Sequence, residues 1–207
     1  MVRSRGPAPY RLTEPVTFYL VRHGESEYNA ARRFAGRTDT PLTELGRQQA
    51  VAVAEALAHV SFDRIVSSPL SRCRDTALVI ARRQQLPVDL EPDLVEIDVG
   101  EKTGTPFDEV AGLPGFEEGF VAWPRGETLE QVLSRAHRVI TRIAAESAGQ
   151  RVLIVGHGGV TRILMSHFLG LLPRLDNSPA TNTNVSVVVS DGVTHRVERL
   201  FTAAHLV

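Results

Sequence analysis

The chain has 207 residues, with 23 Lys plus Arg against 24 Asp plus Glu and a net charge of −1. That length can bury a full core in one domain, and the near-cancellation of charge excludes a global field for nucleic acid or an anionic membrane. The single cysteine, Cys73, excludes an intramolecular disulfide and fits a reducing compartment, and no apolar run reaches transmembrane length.

Residues 1–15 carry charge but no apolar stretch of the signal-peptide kind, and they read as a frayed, mobile tail. A cytoplasmic protein is expected. Val16-Thr17-Phe18-Tyr19-Leu20-Val21 predicts a first strand over 16–21. A loop containing Gly36 and Pro41 follows over 24–43. Leu45, Val53, Ala54 and Leu57 predict a helix over 45–58 with those four near one face. Residues 64–67 predict a short strand stopped by Ser68-Pro69, and Ser71 is the expected cap of a helix running to about 84. Another strand is expected at 88–90. Residues 96–127, rich in Gly, Pro and aromatics, predict irregular chain. A long helix is expected over 128–147, capped by Thr128 with Gln131 three residues on. The apolar run at 151–155 predicts a buried strand; it ends in Gly156-His157-Gly158-Gly159, and a helix to about 169 follows. Strands at 185–189 and 193–200 flank Asp191-Gly192, a two-residue hairpin signal. This alternation predicts an α/β fold: a mainly parallel central sheet with helices on both faces and one antiparallel strand near the C-terminus. One domain over 16–207 is expected, with an inserted segment near 98–126.

Two strands run into a histidine followed by glycine: Val21-Arg22-His23-Gly24 and Val155-Gly156-His157-Gly158. In open α/β sheets ligands gather at the carboxyl ends of strands. If these strands are parallel neighbours, His23 and His157 project into one pocket. Imidazole is a nucleophile at neutral pH, the Arg22 guanidinium suits phosphate oxygens, and Gly24 lets a tetrahedral group approach the backbone. Phosphoryl transfer needs an in-line nucleophile, cations on the equatorial oxygens and a proton for the leaving oxygen. His23 is the candidate nucleophile, with its other ring nitrogen held by a backbone carbonyl near Gly24. Lys102 is the only lysine, so arginines must hold an anion. Arg72, where a strand gives way to a helix, would meet one together with helix amides. His157 would hydrogen-bond the phosphoryl group. Glu96 is the acid candidate, with Asp93, Asp98 and Glu101 as rivals; burial beside apolar groups would favour its protonated form.

Together, Arg22-His23-Gly24-Glu25-Ser26, the run from Ser67 to Ala77, Leu94-Val95-Glu96 and Gly156-His157-Gly158-Gly159 resemble the histidine phosphatase superfamily. The likeness is to the branch of phosphoglycerate mutases and broad-specificity or α-ribazole-phosphate phosphatases, and it runs from about residue 16 to 189. The resemblance implies that His23 is phosphorylated and that Arg22, Arg72 and His157, with Gly158, form the phosphate pocket. It implies that Glu96 is proton donor and then base for water. Asn29 matches a family asparagine that helps hold phosphate, and Asn182 resembles one before a late strand. Two departures weaken any transfer of substrate identity. Ala35 stands where the family often has a polar residue, and Gly100-Glu101-Lys102-Thr103-Gly104 lacks the Trp-Glu pair of Gly-x-Trp-Glu-Gly.

The partner implied is a small-molecule phosphate ester, with no nucleic acid, membrane, cofactor or metal, in a monomer or homodimer. A mutase is one rival and a non-catalytic phosphate-ligand or protein-binding module another. The segment over 96–127 lacks the long insertion that the resemblance associates with mutases, which favours a phosphatase. Gly156-x-Gly158-Gly159 fails as a dinucleotide loop at Thr161, and no Walker loop or His-Glu-x-x-His occurs. Arg32 and Arg37 could border the pocket; Arg33, Arg74, Arg82 and Arg83 read as solvated surface. His59, His137, His167, His195 and His205 read as structural or exposed, and Cys73 as a packing residue. Phe107, Leu113, Phe116, Phe120 and Trp123 read first as packing for the insertion and second as an apolar lid.

Overall fold

The computed structural model describes residues 11–110, 112–175 and 181–206. Among these, six strands form one sheet: β1 (Val16–Arg22), β2 (Arg64–Ser67), β3 (Asp89–Leu90), β4 (Arg151–Gly156), β5 (Val185–Ser190) and β6 (His195–Thr202). Their order is β3-β2-β4-β1-β5-β6. The first four run parallel, and β5 runs against both β1 and β6. The helices are α1 (Glu27–Ala30), α2 (Glu44–Ala56), α3 (Ser71–Gln84), α4 (Leu129–Glu146) and α5 (Gly158–Phe168). The predicted fold class is the one observed.

Burial explains the continuous apolar runs of the central strands. In β1, Phe18 and Leu20 join one core cluster with α4 and α5, while Val21 and the partly buried Tyr19 join a second with α2 and α3. In β4, Val152 and Ile154 take the first face, and Leu153 and Val155 the second. Side chains alternate across a pleated strand, so a sheet covered on both faces needs apolar residues at every position. The capping box of α4 forms as expected, with Thr128 and Gln131 each accepting from the other's backbone N–H.

Several local expectations need correction. Leu45 is exposed while Val53, Ala54 and Leu57 are buried, so the apolar face of α2 begins later than its sequence suggests. A short helix, α1, interrupts the loop expected over 24–43. Leu70, not Ser71, is the N-cap of α3; Asp39 Oδ1 accepts from the Ser71 N–H at 2.7 Å instead. The β5–β6 turn spans Asp191-Gly192-Val193-Thr194 rather than two residues, because Ser190 pairs with His195. The Asp191 carboxylate accepts from the Val193 and Thr194 N–H groups and builds the turn, and these bonds hold its pKa at about 2. Of the expected tail, residues 1–10 lie outside the described residues. Arg11 pairs with Asp191, and the Leu12 N–H donates to Asp191 O at 2.7 Å.

The register places the site. Arg22 pairs with Gly156, and the His23 N–H donates to Gly156 O at 3.0 Å. Ser67 pairs with Val155, and the Ser68 N–H donates to Val155 O. Three neighbouring parallel strands therefore end level, delivering His23, His157 and the start of α3 to one edge of the sheet.

Candidate active site

The rings of His23 and His157 stand edge to face, 5.2 Å apart between centroids. His23 is 3% exposed, and its Nδ1 lies 2.6 Å from Gly24 O. A carbonyl can only accept, so Nδ1 carries the proton and Nε2 keeps its lone pair. Burial, with Arg22 and Arg72 adding to it, holds the His23 pKa well below the ordinary histidine value.

Gly24 has a role other than the one expected. A Cβ there would meet Gly46 O at 2.3 Å, and a Cβ at Gly46 would meet Glu25 O at 2.0 Å. The glycine pair lets the loop after β1 press onto the first turn of α2. Thr76 Oγ1 accepts the Gly24 N–H at 3.1 Å and donates to Arg72 O. The threonine thus ties α3 to the segment carrying the nucleophile candidate.

Arg72 is 1% exposed; its Nη1 and Nη2 donate to Thr38 O at 2.8 Å and Gly36 O at 3.0 Å. Arg22 is half-buried at the end of β1, and its Nε is buried with no hydrogen-bond partner among the described residues. Burial, then the neighbouring Arg162, lowers the Arg22 pKa to about 10 against the pull of Glu96. Both arginines line a cavity of about 570 Å³ together with His23, Glu96, Asn29 and Asn182. A buried guanidinium N–H without a partner is a group awaiting an acceptor.

Glu96 is held differently from expectation. Its Oε1 accepts from the Ile97 N–H at 2.9 Å and the Val160 N–H at 3.3 Å, and its Oε2 from the Gly159 N–H at 3.2 Å. The carboxylate therefore sits at the N-terminus of α5, in a polar cradle rather than an apolar one. A Cβ at Gly159 would meet Ile97 Cδ1 at 2.6 Å and Glu96 Oε1 at 2.8 Å, so a larger residue there would push the Glu96 carboxylate out of this cradle. Behind it, Arg135 donates to Asp93 O, Val95 O and Glu96 O and is gripped by both oxygens of Glu127. Glu127 also takes Arg37 and the Asp98 N–H. This network holds the acid candidate's backbone in place.

The two asparagines work as a pair. Asn182 Nδ2 donates to His23 O at 3.0 Å and Asn29 Oδ1 at 3.2 Å. Asn29 Oδ1 also accepts the Ser26 N–H, which turns its amide nitrogen to other partners. His157, fully buried, is not in the cavity wall; its Nε2 lies 2.9 Å from Ser68 Oγ. Burial and the nearby Arg72 hold its pKa well below the ordinary range. Cys73 Sγ donates to Gly156 O beside it, and burial pushes the thiol pKa far up, as suits a packing residue.

Phe107, Phe116 and Trp123 line the cavity, whereas Leu113 packs on the core and Phe120 is exposed. Arg32 and Arg33 line it too, while Arg37 pairs with Glu127 instead. Arg162, absent from the sequence candidates, lies one turn into α5 on the side of Gly158 and shares the cavity wall with Arg22. Its spacing of four residues from Gly158 was the available signal.

His23 and His157 have folded pKa values below the unfolded value near ~6.5. The unfolded chain therefore takes up protons first as pH falls. Their contribution to stability is complete above about pH 6.5 and is lost below it, by about 1.4 kcal/mol per pH unit for each proton. Urea denaturation should give lower stability at pH 5.5 than at 7.5; equal stabilities would contradict neutral, buried imidazoles.

The chain is similar to known proteins over most of its length. A model of the histidine phosphatase superfamily (branch 1) matches residues 18–202. The chain is 36% identical over 165 residues to the "Probable phosphoglycerate mutase GpmB" of Cronobacter sakazakii, covering 74% of each chain. Bacillus stearothermophilus YhfR superposes with a TM-score of 0.84 at 32% identity, covering 92% of this chain and 99% of that one. A mycobacterial glucosyl-3-phosphoglycerate phosphatase complexed with VO3 gives 0.79 at 28% identity, covering 90% and 99%. Phosphoserine phosphatase of Entamoeba histolytica, with 3-phosphoglyceric acid, gives 0.83 at 26% identity, covering 93% and 100%.

Proposed function

This chain belongs to the histidine phosphatase superfamily, and we propose that it hydrolyses a small-molecule phosphomonoester through a phosphohistidine on His23. The observation that carries this reading is the 2.6 Å bond of Nδ1 to Gly24 O, which leaves the Nε2 lone pair on a ring at the wall of an arginine-lined cavity. Nε2 attacks phosphorus, the bond from phosphorus to the ester oxygen breaks, and Glu96 gives that oxygen its proton. Arg22 Nε, Arg72 and the Asn29 amide bind the equatorial oxygens, and the open backbone at Gly158 lets the anion approach α5. Asn182 holds His23 and Asn29 in position. His157, outside the cavity wall with its ring nitrogens beside Ser68 Oγ and Cys73 Sγ, packs edge to face on His23 and backs the nucleophile's ring. Glu96 then takes a proton from water, the oxygen attacks phosphorus, and the P–N bond breaks to release phosphate and neutral His23. No step needs a metal.

The aromatic wall of Phe34, Phe107, Phe116 and Trp123 suits an organic leaving group with an apolar part. A reducing, cytoplasmic setting agrees with the one buried cysteine. No helix among the described residues is long and apolar enough to cross a membrane.

Glu96→Gln tests the acid role. It should slow esters with poor leaving groups by about 10²- to 10⁴-fold while slowing p-nitrophenyl phosphate far less. Equal slowing of both removes Glu96 from that role. The name of the Cronobacter relative favours a second reading, phosphoryl transfer within phosphoglycerate. Incubation with 3-phosphoglycerate and a trace of bisphosphoglycerate separates the two: free phosphate supports hydrolysis, and the isomer supports a mutase.

A further inference from the structure

Far from the catalytic edge, three histidines widely separated in sequence converge. His137 comes from α4, His167 from the last turn of α5, and His195 opens β6. One ring nitrogen from each lies within 4.8 Å of the other two. His137 and His167 meet edge to face at 4.7 Å between centroids, and His195 stands 6.4 and 6.1 Å from them. All three are half-buried, and His195 also packs on the ring of Phe168 at 4.4 Å.

Clustering of three imidazoles is an expensive arrangement unless something uses it. Each ring carries a nitrogen that needs a donor or an acceptor once it leaves water. His195 Nδ1 is buried and has no hydrogen-bond partner among the described residues. Burial, then His167, holds the His137 and His195 pKa values below the ordinary one, against a small opposite pull on His195 from Asp191. A metal ion binds the neutral imidazole through a ring lone pair, and each of the three rings brings one nitrogen to the cluster.

We propose that His137, His167 and His195 form a binding site for one divalent ion of the zinc class, with three imidazole nitrogens as ligands and a fourth position open to water. Three neutral nitrogens suit Zn²⁺, Ni²⁺ or Cu²⁺ and not Mg²⁺ or Ca²⁺, which take oxygen ligands. Zn–N bonds of about 2.0–2.1 Å in a tetrahedron put the nitrogens about 3.3 Å apart. The three nitrogens, within 4.8 Å of one another, would close toward that value on binding an ion.

The site is separate from the phosphate cavity. Ser190, which pairs with His195, also pairs with Val16 at the start of β1, whereas His23 follows its end. The seven residues of β1 span roughly 20 Å at ~3.3 Å each. An ion here would not touch the reacting phosphate; it would pin α4 and α5 to the edge strand β6 and raise stability by mass action.

The test uses metal-stripped, untagged protein. Titration with Co²⁺ should give one equivalent with the visible absorption of a four-coordinate ion, and Zn²⁺ should displace it. Zn²⁺ should also raise the thermal midpoint. His137→Gln and His167→Gln should each weaken Zn²⁺ by at least ~10-fold, the lower bound even for losing an outer-shell partner, with p-nitrophenyl phosphate hydrolysis unchanged. His23→Ala should bind Zn²⁺ as the parent chain does. X-ray absorption on the Zn²⁺-loaded parent chain supplies a readout that needs no variant, and imidazole scattering from three ligands is expected. Absence of stoichiometric binding, binding that survives both histidine substitutions, binding lost in His23→Ala, or a first shell without imidazole would each overturn the proposal.

Discussion

Replacing His23 with alanine is expected to lower the hydrolysis of p-nitrophenyl phosphate by at least ~10⁴-fold, the scale of losing a covalent nucleophile, and a chelator should make no difference to either protein. The nucleophile cannot be replaced by a neighbour. His157 lies behind it with Nε2 engaged by Ser68, and the buried Cys73 thiol is held protonated. The fold should survive, because the ring's one hydrogen bond goes to the adjacent residue's carbonyl, and loss of one such bond costs about 1–3 kcal/mol. Substrate affinity should change less than turnover, since Arg22, Arg72 and Asn29 still line the cavity. Turnover near that of the parent chain would refute the assignment.

Arg72→Met should damage both activity and stability, and the two effects have different causes. Arg72 lines the cavity and is a proposed donor to the phosphate there, and loss of one such preorganised donor lowers turnover by about 10²- to 10³-fold. With its other N–H groups it holds Gly36 O and Thr38 O, anchoring the loop that brings Arg32, Phe34 and Ala35 to the cavity. Methionine fills much of the volume but leaves both carbonyls without that donor, a destabilisation of about 1–3 kcal/mol. Arg72→Lys restores the charge but not the planar fork, so it should recover only part of the turnover. Kinetics and urea denaturation on the two variants separate these effects. Activity within tenfold of the parent chain in Arg72→Met would remove it from the phosphate site.

The candidate site's convergence is legible in the sequence because its residues sit at strand ends, and strand ends are marked locally. Apolar β-rich runs stop at Arg22-His23-Gly24 and at Gly156-His157-Gly158, and the register brings Arg22 opposite Gly156. Strand order was the missing step, and no local pattern contains it. The same gap hid Ser68 on His157, Thr76 on Gly24, and the Arg135–Glu127 clamp behind Glu96, all contacts between residues remote in sequence or role. Gly24 was legible as a requirement but not in its reason, because Gly46 comes from a different element. Glu96 was expected among apolar groups, since its neighbours in sequence are apolar; the helix N-terminus that cradles it arrives from 63 residues away. The histidine trio shows the limit most plainly. Spacing rules for metal ligands look along the chain, whereas His137, His167 and His195 meet only through the packing of two helices on a sheet edge.

The most direct measurement is to stop a reaction with p-nitrophenyl phosphate in mid-turnover under alkaline conditions and map the bound phosphate by mass spectrometry. Trypsin cuts after Arg22 and Arg32, isolating His23 at the head of one peptide that also holds Ser26. The expected result is one phosphate on His23, stable to alkali, lost in acid, and absent from His23→Ala. Phosphate on Ser26 or any other residue, or an active enzyme that never carries phosphate at any time in its turnover, would contradict the phosphohistidine account.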